Sequence, residues 1–165
     1  MSLPDMQPDE IIGEYQEHTL TYHDQSSRRI FVTEIETPYP DGHLIVSRTN
    51  PEGYITHLND SFVEMSGYSR QELINAPHYI LRHPDMPAAA FQDLWQTVTS
   101  GQKWNGYVKN LRKDGGFYWV YATVIPNIRK NSVVSYTSVR RKPARKKIEH
   151  YASLYKTMLS SEHSA

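Results

Sequence analysis

The sequence predicts an α+β fold, an antiparallel sheet with helices over one face. Two observations carry this. Strand-like stretches stand at both ends of residues 43–141, with short helical stretches between them. The three C-terminal strands are joined by turns of a few residues, which only antiparallel neighbours can use. A chain of 165 residues suggests one domain with extensions, and its 38% hydrophobic content suffices for a packed core.

Each element has a local reason. Residues 1–30 are polar and contain Pro4 and Pro8. Ile11–Leu20 could be a short helix, but its apolar pattern is poor, so residues 1–30 read as an arm that orders only by docking. Residues 36–42, ETPYPDG, form a turn-rich connector. His43–Thr49 and Tyr54–Leu58 read as a hairpin around NPEG. Asn59 offers a helix N-cap before Phe62, Val63 and Met65, and Gly67 a left-handed stop. Ser69 and Glu72 form a capping-box pattern, and Pro77 ends that helix. Residues 78–86 have no regular period. Pro87 opens a helix through Val98, with Phe91, Leu94, Trp95 and Val98 at helical spacing.

Trp104–Arg112 is a strand and Asp114-Gly115 supplies its hairpin turn. Phe117–Ile125 follows, ended by Pro126. Arg129–Asn131 is a turn, and Val133–Val139 the last strand. From about residue 144 an amphipathic exit helix carries Ile148, Ala152, Tyr155 and Leu159 at 4-3-4 spacing, a short heptad seam. The expected organisation is an arm over 1–30, a core domain over 31–141, and a basic junction with a signalling helix over 142–165.

Composition excludes several classes. With 18 basic and 18 acidic residues the formal net charge is zero, which gives no electrostatic case for nucleic-acid binding. Arg140, Arg141, Lys142, Arg145, Lys146 and Lys147 cluster, and read as a solvated junction. The absence of cysteine rules out disulfides, thiolate metal sites and a cysteine nucleophile, and fits the cytoplasm. No apolar run approaches the ~20 residues of a membrane span, and the acidic N-terminus is no signal peptide. No Gly-rich dinucleotide loop, nucleophile elbow or metal-ligand cluster is present, so an enzyme is not expected.

Three strings carry a resemblance. YITHLNDSFVEMSGYSRQEL (54–73) resembles the opening of a PAS domain, where an Asn-x-x-Phe helix leads to a Gly-Tyr turn. HYILRHPDMPAAAFQDLW (78–95) and GQKWNGYVKNLRKDGGFYWV (101–120) resemble the PAS sensor of bacterial aerotaxis receptors. The resemblance covers roughly residues 31–141. It implies a five-stranded antiparallel sheet whose concave face, under short helices, forms a ligand pocket. It also implies non-covalent FAD, redox or oxygen sensing, and output to a signalling partner of chemotaxis, kinase or cyclase type. FMN and haem are the alternative cofactors, and a cofactor-free module that homodimerises through arm and exit helix is the alternative function. Without cysteine, a light sensor working through a cysteine–flavin adduct is excluded.

A flavin needs a flat apolar slot, amide-like partners for its uracil edge and, for FAD, an outlet for pyrophosphate and adenine. Alternation along the strands puts Trp104, Gly106, Val108 and Asn110 on one face, and Tyr118, Val120, Ala122 and Val124 on one face of the next. Both faces are expected to wall the pocket. Asn110 would meet the uracil edge, a place the resemblance also gives to asparagine; otherwise it pairs with its own turn. Trp104 would border the ring or serve as core.

Arg82 would meet the pyrophosphate and His83 the ring or adenine; the plain alternative is an Arg82–Asp85 ion pair with His83 bonded to the backbone. Asn59 caps its helix, and the resemblance ties it to flavin binding as well. His57, Asp60 and Met86 are weaker candidates. Were the cofactor haem, His78 or His83 would ligate it. Trp95 reads as core, and Trp119, on the opposite strand face, as surface or interface.

Overall fold

The computed structural model describes residues 3–164. Seven strands and four helices are named in chain order. They are β1 (Gln16–Thr21), β2 (Ser27–Val32), β3 (Ile45–Thr49), β4 (Ile55–Leu58), α1 (Asp60–Ser66), α2 (Arg70–Leu73), α3 (Ala88–Thr99), β5 (Trp104–Leu111), β6 (Phe117–Arg129), β7 (Ser132–Arg141) and α4 (Arg145–Ser164). Single 3-10 turns occupy Pro8–Glu10 and His78–Leu81. The main sheet is antiparallel, in the order β4-β3-β7-β6-β5. Helices α1 to α3 cover its concave face, so the expected α+β PAS fold is what the chain adopts.

The local signals act as their chemistry requires. Asn59 Oδ1 accepts from the Phe62 amide, and Gly67 closes α1 with a φ of 77°. Ser69 and Glu72 bond reciprocally as a capping box. Lys130 and Asn131 both have positive φ, 53° and 66°, between paired Arg129 and Ser132. Two such residues twist a hairpin in the sense its strands require.

Four expectations need correction. First, Ile11–Leu20 is not helical: β1 and β2 pair over Gln16↔Val32 to Thr21↔Ser27 as a separate two-stranded hairpin. That hairpin runs across the expected boundary at residue 30. Second, Pro126 does not end β6, which continues to Arg129 with Pro126 opposite Tyr136. β5 stops at the Trp104↔Val124 pair, so beyond it only β7 neighbours β6, and a missing donor is tolerated.

Third, Arg140 is not part of a solvated junction. It lies in β7 on the side facing the helices and is 2% exposed. Fourth, α4 buries Ile148 and Tyr155 of the expected seam, but the partly buried Tyr151 and Met158 complete its packed line, while Ala152 is exposed. This line packs on the outer face of the sheet against Trp119 and Tyr107. Trp119 is thus an interface residue within the chain. Burying side chains of this size stabilises the docked helix by about 1.5–3 kcal/mol each.

The main core lies between the concave face and helices α1 to α3, with Ile45, Ile55, Phe62, Leu73, Val98, Tyr118 and Val120 buried. Among the described residues no helix is long and apolar enough to cross a membrane.

Candidate functional site

A cavity of about 770 Å³ opens between the concave face and α3. Its floor comes from the two predicted strand faces: Trp104, Val108 and Asn110 of β5, and Val120, Ala122 and Val124 of β6. Cross-strand register places Val108 opposite Val120 and Trp104 opposite Val124. Its roof is the α3 face bearing Phe91, Leu94 and Trp95. The strand alternation gives a flat apolar floor, and the 3.6-residue repeat of α3 gives the apolar roof.

Trp104 is held in place from two sides. Its Nε1 donates to Asp93 of α3 at 2.9 Å. Its indole lies over Gly106, where an added Cβ would come within 2.2 Å of the ring. Glycine two residues on is therefore what lets the tryptophan lie flat along its own strand.

Asn110 is buried at the end of β5, and its backbone forms an isolated antiparallel bridge with Arg82. Arg82 lines the cavity with its guanidinium 5.0 Å from the Phe91 ring. Asp85 pairs instead with Lys109, at 2.7 Å, so the Arg82–Asp85 pair does not form. The Arg82 Nε is buried and has no hydrogen-bond partner among the described residues.

The other predicted residues lie off the cavity lining. His83 is buried against Phe117, and its Nδ1 accepts from the Asp85 amide at 3.0 Å. Burial and the nearby Lys109 push its imidazole down to about 3. Asn59 joins β3 to α1: it accepts from the amides of Val46 and Phe62 and donates to the Leu44 carbonyl. Of the weaker candidates, Met86 accepts a hydrogen bond from the Lys109 amide and packs in the cluster under α4. Asp60 pairs with Arg70, and His57 lies on β4 beside Thr56.

Sequence reasoning missed two cavity residues, Arg140 and Tyr22, and named a third, His78, only as a haem ligand. Arg140 lines the cavity, donates to Ser47 and, at 3.3 Å, to His78 Nε2, and has no carboxylate partner among the described residues. Its Nε is buried without a partner. Burial lowers its pKa to about 10, which still leaves it charged at neutral pH. His78 lines the cavity too, and burial together with Arg140 pushes it down to about 3. A neutral imidazole is what an arginine donor requires there. Tyr22 belongs to the N-terminal hairpin and stacks on Tyr79 at 4.0 Å. The period-2 pattern Tyr136, Ser138, Arg140 could have found Arg140; nothing in the polar arm pointed to Tyr22.

The cavity lining is mainly apolar and includes two arginines and the Asn110 amide. That arrangement suits a flat, partly anionic organic ligand. Among the described residues no group of three His, Asp or Glu side chains could hold a metal ion.

Comparison with known proteins agrees with this architecture. The PAS fold family matches residues 55–140, just over half of the chain. The aerotaxis receptor of Escherichia coli (strain K12) is 44% identical over 128 residues, covering 78% of this chain and 25% of the receptor. The chain thus spans about a quarter of that relative. The light-state structure of the blue-light photoreceptor Aureochrome1 LOV superposes with a TM-score of 0.57 at 20% identity, over 71% of this chain and 90% of that one. A light-oxygen-voltage domain solved in work on a flavin analogue superposes with the same score at 21% identity, over 72% and 87%. With its sheet order, its helix-covered concave face and this match, the chain belongs to the PAS fold family.

Proposed function

We propose that this chain is a flavin-binding sensor domain, using FAD, whose redox state is passed to a signalling partner in an aerotaxis-like pathway. The observation that carries the reading is the cavity. Its floor and roof are largely apolar. One buried asparagine stands at the strand end, and two arginines line it without carboxylate partners. A buried cation without an anion is costly, so a site that keeps Arg140 buried, beside the half-buried Arg82, favours a ligand that supplies negative charge.

The fit is residue by residue. Asn110 presents a donor and an acceptor to a uracil-like edge. Trp104, Val120 and Ala122 supply the ring slot. Arg82 presents a planar donor fork suited to phosphate oxygens. Arg140 places positive charge beside whatever fills the slot. Asn59 and His83 support the wall from outside: Asn59 fixes α1 on β3, and His83 lies next to Arg82 in the bridged segment. When bound, a flavin supplies a two-electron, proton-coupled redox change. The chain's residues then respond through the preference of Asn110 and Arg140 for one charge state over another.

The 44% identity to an aerotaxis receptor supports redox sensing and a chemotaxis-type output. Recording the visible spectrum of freshly purified protein tests the reading, with chromatography of any released cofactor. Flavin bands support it, and the cofactor's mass decides FAD against FMN. A sharp Soret band overturns it in favour of haem, with His78 and His23 as histidines that line the cavity. A colourless protein that takes up no added flavin leaves an interaction module.

A further inference from the structure

We infer that the N-terminal hairpin forms the adenosine end of the cavity, and so selects a dinucleotide over a mononucleotide flavin. This rests on the flavin reading above and extends it to a segment outside the family match. Residues 16–32 precede the matched region, yet Thr21, Tyr22, His23 and Gln25 from the hairpin's end line the cavity.

The hairpin is a fixed wall. Tyr22 and Tyr79 stack with their rings 7° from parallel. Tyr79 donates to Asp24 at 2.7 Å, and the buried Arg28 donates to the Ile80 carbonyl and the Tyr68 hydroxyl. The turn that lines the cavity is thereby bolted to the segment that carries Arg82.

The two ends of the cavity differ in chemistry. At the sheet end the lining is mostly buried and combines apolar Trp104, Val108, Val120, Ala122 and Val124 with the Asn110 amide and the Arg140 cation. At the hairpin end Thr21, His23 and Gln25 are exposed and polar, and Gln92 of α3 lines the same mouth. Hydroxyl, imidazole and amide groups match the donors and acceptors on a purine edge and a ribose. The Tyr22 hydroxyl is buried without a hydrogen-bond partner among the described residues.

Arg82 links the ends. Its backbone bridges to Asn110, and its side chain lines the cavity together with Tyr22 of the hairpin. The order amide, cation, polar mouth is the order ring, phosphates, adenosine along an extended FAD. A volume of about 770 Å³ is also in the upper part of the ~300–1,000 Å³ range of small-molecule sites, more than a ring and its ribityl phosphate alone would fill.

The test titrates FAD and FMN separately into the flavin-stripped 165-residue chain, reading flavin fluorescence. It compares wild type with Thr21→Glu/His23→Glu, which puts negative charge at exposed positions of the hairpin, and with Gln25→Glu as a second variant. Circular dichroism checks the fold. Wild type is expected to prefer FAD by about tenfold or more, and the charged variants to lose about tenfold in FAD affinity while FMN affinity stays within about twofold. Equal wild-type affinities for the two flavins overturn the inference and leave the flavin reading intact. So does loss of FAD and FMN binding in parallel, or undiminished FAD binding in both variants. If neither flavin binds wild type, the flavin reading falls and the inference with it.

Discussion

Arg82 and Asn110 face each other across an isolated antiparallel bridge. The bridge zips an irregular segment to the end of β5, so the cavity's polar groups keep fixed positions although one of them stands outside the regular elements. The contact is made by backbone, so side chains can be changed without opening it.

Asn110→Leu is therefore expected to leave the fold in place and to weaken flavin binding. Losing the amide's hydrogen bonds should cost about 1–2 kcal/mol, roughly 5- to 30-fold in affinity. Fluorescence titration checks this. Unchanged affinity would move the uracil edge away from Asn110.

Arg140 is a charged group in a buried wall, and a flavin gains negative charge on reduction. Arg140→Met is expected to make the bound flavin harder to reduce. Each ~1.4 kcal/mol of lost stabilisation lowers a two-electron midpoint potential by about 30 mV. Potentiometric titration reads the shift; a constant potential would place the ring away from this guanidinium.

His78 and His83 are both pushed from 6.5 to about 3 by burial. A cation stands beside each: Arg140 at His78, and Lys109 at His83, where Asp85 acts in the opposite sense. The unfolded chain binds protons that the folded chain refuses between those values. The stability these neutral histidines confer is complete above pH 6.5 and is lost as pH falls through the window toward about 3. The slope is at most about 1.4 kcal/mol per pH unit for each histidine. Urea midpoints from pH 7.5 to 5 should fall in wild type and fall less in His78→Gln/His83→Gln.

Glu162, near the end of α4, accepts from the amides of Ala88 and Ala89 at 3.1 and 3.0 Å. It thereby caps the helix that roofs the cavity, since Pro87 has no capping side chain. Glu162→Ala is expected to cost about 0.5–2 kcal/mol, the usual worth of a lost N-cap. Thermal melts and faster amide exchange at Ala88 and Ala89 would register it.

The sheet and the cavity floor were legible because strand alternation is a rigid rule. Trp104, Val108 and Asn110, and Val120, Ala122 and Val124, line the cavity as their spacing predicts. The α1 cap, the capping box and the hairpin turns were legible because one or two residues specify each. The hairpin β1–β2 was not. Its strands, QEHTLT and SRRIFV, alternate weakly because only β2 buries side chains deeply. Arg140 was hidden by its neighbours: among five other basic residues its composition suggested solvent, while its place in β7 set the inward direction. His83 sits in the right segment but points off the cavity, which the irregular backbone of residues 82–86 decides and no periodicity reports. The exit helix was placed correctly and its contact line was not, since Tyr151 and Met158 offered a second 3-4 spacing beside the chosen one.

Pro126 has a consequence for how the molecule keeps to itself. Where β5 ends, β6 and β7 run on as a two-stranded overhang bearing exposed Ile125, Ile128 and Val134. An open, apolar strand edge of that kind is a template for another chain to pair with. A proline in the overhang, followed by a register shift at Asn127/Ile128, interrupts the row of donors a newcomer would need. The same residue that escaped notice as a strand member thus guards the sheet against lateral aggregation.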